Sequence, residues 1–494
     1  MEGSVPIKKG DSPLSQSNNW RILTWGIFLI LFLGSLLVAF GFPIGPITLA
    51  AAVLGLVFCY RYTYFSFYVG ILLVMLLGIT VSLSTGDLAI GQRAFGGSID
   101  IFFGEIILWF VLVVWAVKVL LLWYKRRDTN WRPVLPLLAP FAALAAAHAI
   151  SAFSSYGPDP VLVFKFVLRP VIFCYVAYIA LPVNLIRSKR RLRAILGILT
   201  FVGLVAAANG LLSMASVEAV GSFVRRAHPI AIFGINPLGD NHNLLAELLL
   251  ITAPASLALG ALSKFPKARR FLYGAAALQA LVALLTFART AWIVFVLQLL
   301  CLSVTVWRHA LRKHLTDLAA VILIMMPLVI YQIKFSFSNV AQNSNSARWM
   351  LTEIAWYSFL EHPLIGGGAN TFIWRVGNAR VFAQEFGDSL DAHGFAQKLM
   401  TETGSLGMLA YAYLLFSGVR HAIRGLRGLD EAVRLPAYSL AVAAGGAVIY
   451  QFFNTAYWTA HLWLPMGLLF AGLSVLSKSS GEAQQDDFER LSMG

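Results

Sequence analysis

Charge is what this chain has least of. Asp, Glu, Lys and Arg together make 12% of its 494 residues, against about 25% in a soluble domain, so a water-exposed globule is excluded. Cysteine is nearly absent too. The three residues Cys59, Cys174 and Cys301 all lie in apolar runs, which suggests neither a disulfide framework nor a metal cluster. No compact Asp-x-Asp pair, no internal repeat and no clear two-half transporter symmetry can be read. The first apolar run follows a polar tail without a small-residue cleavage site, so it is expected to stay as a span.

What the chain does have is apolar length. Hydrophobic residues make up 59%, and runs long enough to cross a bilayer, roughly 20 residues each, fall at 22–40, 44–60, 64–84, 101–123, 134–152, 161–180 and 194–215. A second set follows at 243–262, 271–288, 290–307, 318–333, 395–419, 437–453 and 462–476. The expectation is an all-α polytopic membrane protein with about 14 transmembrane helices.

Charge sets the topology. With the N-terminus inside, every inside loop is basic, for example Lys125–Arg127 and Arg187–Arg193, as the positive-inside rule demands. The net charge of +15 is therefore cytoplasmic and faces anionic membrane lipids, which removes a nucleic-acid reading. The tails 1–19 and 479–494 read as disordered cytoplasmic ends. Residues 20–215 form an N-terminal set of spans, and 216–478 a second region. That region has two long outer loops, 216–242 and 334–394, and the larger is expected to be ordered, since long structureless loops are rare in compact folds.

Cations outside the cytoplasm therefore stand out. Lys165 and Arg169 lie four residues apart inside a span, where charge is costly unless it snorkels to the interface or serves a site. Arg289 interrupts the unbroken apolar run 271–307, too long for one span, so a tight outer hairpin at 288–290 is expected. Arg225 and Arg226 head the first outer loop against the positive-inside tendency. Guanidinium groups bind phosphate by bidentate, charge-assisted hydrogen bonds, so a diphosphate at the outer leaflet is the expected ligand. In the larger loop, Gly366, Gly367 and Gly368 have the flexibility to bring backbone amides to an anion. A simple turn is the alternative.

Four segments in order, FGINPLGDNHNLLAELLL, LLTFARTAWIVF, RWMLTEIAWYSFLEHPLIGGGANTF and HGFAQKLMTETGSLGMLAYAYLL, span roughly residues 225–415. This succession resembles the bacterial O-antigen ligase and Wzy-type polysaccharide polymerase superfamily. The resemblance implies an all-helical enzyme like the C-type glycosyltransferases, with a large ordered periplasmic loop. It implies glycan transfer from undecaprenyl diphosphate without nucleotide sugar, cofactor or metal. Carried over residue by residue, it implies that Arg225 or Arg226, Arg289 and Arg348 hold the diphosphate and that His393 acts on the acceptor hydroxyl. The chain departs from the family pattern at His393-Gly394, where His-Asn is common, and at Ala288-Arg289-Thr290, where Ser-Arg-Gly is common. Nothing before residue 216 carries the resemblance.

The chemistry agrees. Inverting transfer needs a base of near-neutral pKa and cations aimed at the leaving diphosphate. His393 is the expected base. His228, His242 and His461 are rivals, and Asp388, Asp391 and Glu402 offer a carboxylate alternative. The expected function is polymerisation of lipid-linked repeats into exopolysaccharide, capsule or O-antigen, at a site facing the periplasm in the bacterial inner membrane. A flippase and a chain-length regulator would be partners. Ligation to lipid A–core is the first alternative, and a transporter or flippase lined by Lys165 and Arg169 is the second.

Overall fold

The computed structural model describes residues 46–76, 80–84, 98–125, 133–153, 172–215, 226–231, 236–239, 241–307, parts of 323–334, 339–369, 371–387, 391–454 and 459–477. The contacts divide the chain into two compact units, one holding 46–67 and 107–125 of these residues and the other the remainder.

Apolar sequence makes most of the elements helical. In chain order they are α1 (Pro46–Arg61), α2 (Thr63–Val74), the strands β1 (Thr80–Ser84) and β2 (Ser98–Phe102), α3 (Phe103–Lys125), α4 (Leu138–Ala152), a π-helical turn Val176–Ala180 running into α5 (Leu181–Leu185), and α6 (Lys189–Ala215). Then come α7 (His242–Ala261), α8 (Pro266–Leu285), α9 (Arg289–Thr305), α10 (Asn339–Glu361), α11 (Phe372–Asn378), α12 (Arg380–Phe386), α13 (Phe395–Leu426), α14 (Glu431–Gln451) and α15 (Ala460–Leu476).

Among the described residues six helices are long and apolar enough to cross a membrane, or seven if α1 and α2, bent by 114° to each other, form one broken span. Four shorter apolar helices accompany them: α4, the Val176–Leu185 segment, α9 and α15. The runs at 22–40 and 161–171 lie outside the described residues.

Among the described residues one short hairpin accompanies the helices. β1 and β2 pair antiparallel, with Thr80 opposite Phe102 and Ser84 opposite Ser98. TVSLS and SIDIF alternate polar and apolar residues, the period-two pattern of a strand. Average hydropathy over 64–84 hides that alternation.

In the smaller unit Lys118 is buried, donating to Thr63 Oγ1 at 2.9 Å. In the larger unit α7 is the hub. Buried over 72% of its apolar window, it packs against α6, α8 and α14, as a helix apolar all round should. Side-chain amides fasten these helices where hydrocarbon offers no other partner: Gln298 Nε2 of α9 donates to the carbonyls of Leu250 and Val442, each at 3.0 Å.

Helices α10, α11 and α12 and Ala392 share their own buried cluster of Leu351, Ala355, Phe372, Val376, Phe382 and Ala392. Beneath it α13 is broken at Gly404, whose φ of 62° and ψ of −158° suit glycine alone. The break frees helical amides and carbonyls, and the 363–368 segment takes both. Ser405 N and Leu406 N donate to the carbonyls of Pro363 and Leu364, while Gly367 N and Gly368 N donate to those of Thr401 and Glu402.

Candidate active site

Four elements bring cationic side chains together. The run 271–307 turns at Thr286–Ala288, where Phe287 has a φ of 53° and Thr286 Oγ1 accepts from Ala288 N. Arg289 thus opens α9, half-buried, with Nη2 2.8 Å from Asn345 Oδ1 on α10. The expected hairpin is present, its turn falling just before the arginine.

Arg226 reaches the same end of the helices by backbone pinning. Ala227 N donates to Leu285 O at the end of α8. His228 N donates to Ser213 Oγ, and Ile230 exchanges two hydrogen bonds with the side chain of Asn209, both on α6. Asn241 caps α7 by accepting from Asn243 N at 2.8 Å, which sets His242 in the field of Arg226, Arg348 and His228.

Arg348 lies at the centre. It is half-buried on α10, and its Nε is buried without a hydrogen-bond partner. Burial and then neighbouring Arg289 lower its pKa, and Tyr450 opposes them. Among the described residues no carboxylate is bonded to Arg226, Arg289 or Arg348. Cations gathered at a partly desolvated site, with no carboxylate bonded to them among the described residues, are arranged for an anion from outside the chain.

His393 sits at the mouth of α13. Its backbone N donates to Gln397 Oε1 at 3.1 Å, Gln397 Nε2 donates to Thr352 Oγ1 at 2.6 Å, and Thr352 Oγ1 donates to Arg348 O at 2.8 Å. A continuous hydrogen-bond chain therefore ties the histidine to the arginine's helix. Burial, and then Arg348, lower the imidazole pKa from its ordinary value, with Asp391 opposing. The neutral ring is favoured, which is the form a general base needs. Gly394 explains the departure from His-Asn: a Cβ there would stand 2.5 Å from Phe452 O.

Other expectations are corrected. The glycine triplet is not an amide cradle for an anion, because Gly366 N donates to His362 O and the next two amides are taken by Thr401 and Glu402. It is a backbone seam: a Cβ on Gly366 would lie 2.4 Å from Glu402 and Thr403 backbone atoms. His461 is no rival base, being buried in α15 with Nε2 3.3 Å from Met75 O. His228 and His242 remain near the arginines. Asp391 and Glu402 are engaged by Lys398, at 2.7 and 3.8 Å. Arg225, Arg169, Lys165 and Asp388 lie outside the described residues.

Sequence reasoning missed Glu247, a carboxylate 1% exposed in α7 that accepts from Gln451 Nε2 and, at 3.0 Å, from Asn454 Nδ2. Its signal was a lone acid in the apolar run LLAELLL. Beside it Tyr450 OH donates to Asn243 O at 2.8 Å, joining α14 to the start of α7. No group of three or more His, Cys, Asp or Glu among the described residues is placed to hold a metal ion.

Residues 274–412 match the family model Wzy_C, described as O-antigen ligase. The matched segment carries Arg289, Arg348, the glycine seam and His393. It supports the O-antigen ligase/Wzy-type superfamily, whose members are glycosyltransferase-like ligases and polymerases. No curated protein matches the chain.

Proposed function

We propose that the protein is a multi-pass membrane glycosyltransferase of the bacterial inner membrane that polymerises undecaprenyl-diphosphate-linked oligosaccharide repeats at a periplasm-facing site. One observation carries this reading: Arg226, Arg289 and Arg348 converge with no carboxylate bonded to them among the described residues, and His393 is tied to Arg348's helix.

The acceptor hydroxyl oxygen attacks the anomeric carbon of the donor sugar while the bond from that carbon to the diphosphate oxygen breaks. The hydroxyl proton passes to neutral His393, and the departing diphosphate keeps the electron pair. Arginines stabilise the charge that develops on it. Arg225, Lys165 and Arg169, outside the described residues, are proposed as further diphosphate-binding cations, and the Gly366–Gly368 seam as part of the acceptor side. No cofactor is required. A flippase would supply the donor, and a chain-length regulator would act on the product.

The test is polymer formation by purified protein in detergent with lipid-linked donor, without ATP or an ion gradient. Loss of product in His393→Ala is expected, and an unchanged rate would refute the assignment. The family model, described as O-antigen ligase, equally supports a second reading, ligation to lipid A–core. Offering lipid A–core and lipid-linked repeat as competing acceptors separates the two. Transport without transfer would point to a flippase.

A further inference from the structure

Lys398 is a cation that the transfer reaction does not itself call for. It lies in the first turn of α13 with its side chain 2% exposed, and its Nζ stands 2.7 Å from Asp391 Oδ2 and 3.8 Å from Glu402 Oε1. A buried ammonium is tolerated only with such partners.

Asp391 is held at both oxygens. Its Oδ1 accepts from Ala392 N at 2.8 Å and its Oδ2 from Lys398. Two residues on, the His393 amide is held by Gln397, the residue just before Lys398. Neighbouring residues of one helical turn thus hold both the acid and the histidine of the 391–394 segment. The Asp391 side chain keeps 37% exposure and acts electrostatically on His393.

We propose that Lys398 is a positioning residue for His393: by holding Asp391 it fixes the 391–394 segment and the negative charge that faces the imidazole. This rests on His393 being the general base. Among the described residues the charges facing His393 are Asp391 from its own segment and Arg348 from α10. Arg348 is faced in turn by Arg289 of α9, His242 of α7 and Tyr450 of α14, and Asp391 by Lys398 of α13, which also faces Glu402.

Two variants test the idea. In Lys398→Met Asp391 is no longer held opposite the imidazole, so the charge that raises the His393 pKa is weakened and His393 should titrate at lower pH than in the wild type. In Lys398→Met/Asp391→Asn that charge is gone altogether, so His393 should again titrate below the wild-type value. Lys398→Arg should restore the wild-type value. The readout is NMR titration of isotope-labelled histidine in the purified full chain, assigned by His393→Gln, with the acid limb of kcat/KM measured in parallel.

The double variant and Lys398→Arg keep the test available where Lys398→Met misfolds. A His393 titration that moves in neither methionine variant overturns the proposal. Titrations that move as expected while His393→Ala turns over at the wild-type rate overturn the base assignment, and the positioning role with it. Shifts of the expected sign accompanied by matching shifts of the acid limb support both.

Discussion

The seam between the 363–368 segment and the break in α13 allows a sharp test, because two adjacent glycines should behave differently. Gly366 has a φ of 70°, where an L-residue costs about 1–2 kcal/mol. Its added Cβ would lie 2.4 Å from the carbonyl carbon and oxygen of Glu402 and from Thr403 N, backbone atoms that no rotamer change can move. Overpacking of this kind costs about 1–3 kcal/mol. Separating the segments would also weaken the bonds from Gly367 N and Gly368 N, each contributing about 0.5–1.5 kcal/mol.

Gly366→Ala should therefore destabilise the protein by about 3–5 kcal/mol. At Gly367 the nearest atom to an added Cβ is Arg375 Nη2 at 3.3 Å, the end of a flexible side chain, so Gly367→Ala should cost under about 1 kcal/mol. Thermal unfolding in detergent, followed by tryptophan fluorescence, should show Gly366→Ala melting several degrees lower and Gly367→Ala close to wild type. Equal melting of the two variants would refute the seam, and so would a larger drop for Gly367→Ala.

Four further outcomes follow from the site. His393→Ala should lose about 100- to 10,000-fold in kcat, the usual worth of a general base, measured by product gels with lipid-linked donor. Because burial and Arg348 lower the His393 pKa, wild-type kcat/KM should fall only below the ordinary imidazole value of about 6.5. Arg348→Gln should move that fall to higher pH and raise the KM for donor about 10- to 100-fold, as loss of a charge-assisted hydrogen bond implies. In Gly394→Ala the Cβ meets Phe452 O, so turnover should drop while binding of donor, measured by calorimetry, stays within about threefold.

Much of the scaffold was legible because burial in a membrane demands apolar length. The hairpin at Arg289 could be read from a run too long for one helix, and the helix over 348–360 from its apolar spacing, whose Leu351 and Ala355 lie in a buried cluster. The strands at 80–84 and 98–102 could not be read from hydropathy, since their pairing spans a segment with no fixed period in sequence. Glu247 showed as an isolated acid, but its partners Gln451 and Asn454 come from another helix. The glycine triplet was legible as a turn, but its bonding partners were not: amide groups in a sequence do not reveal which carbonyls they will meet.

Composition by itself determined a helix-rich protein with several helices apolar enough to cross a membrane, because transfer energies act residue by residue and need no knowledge of neighbours. Only the tertiary structure decided which arginines meet. It set Arg226, Arg289 and Arg348 around one site, linked His393 to Arg348's helix through Gln397 and Thr352, and gave the amides of Gly367 and Gly368 to the broken α13. Those are pairwise, directional interactions between segments far apart in the chain, and they exist only once the helices have packed.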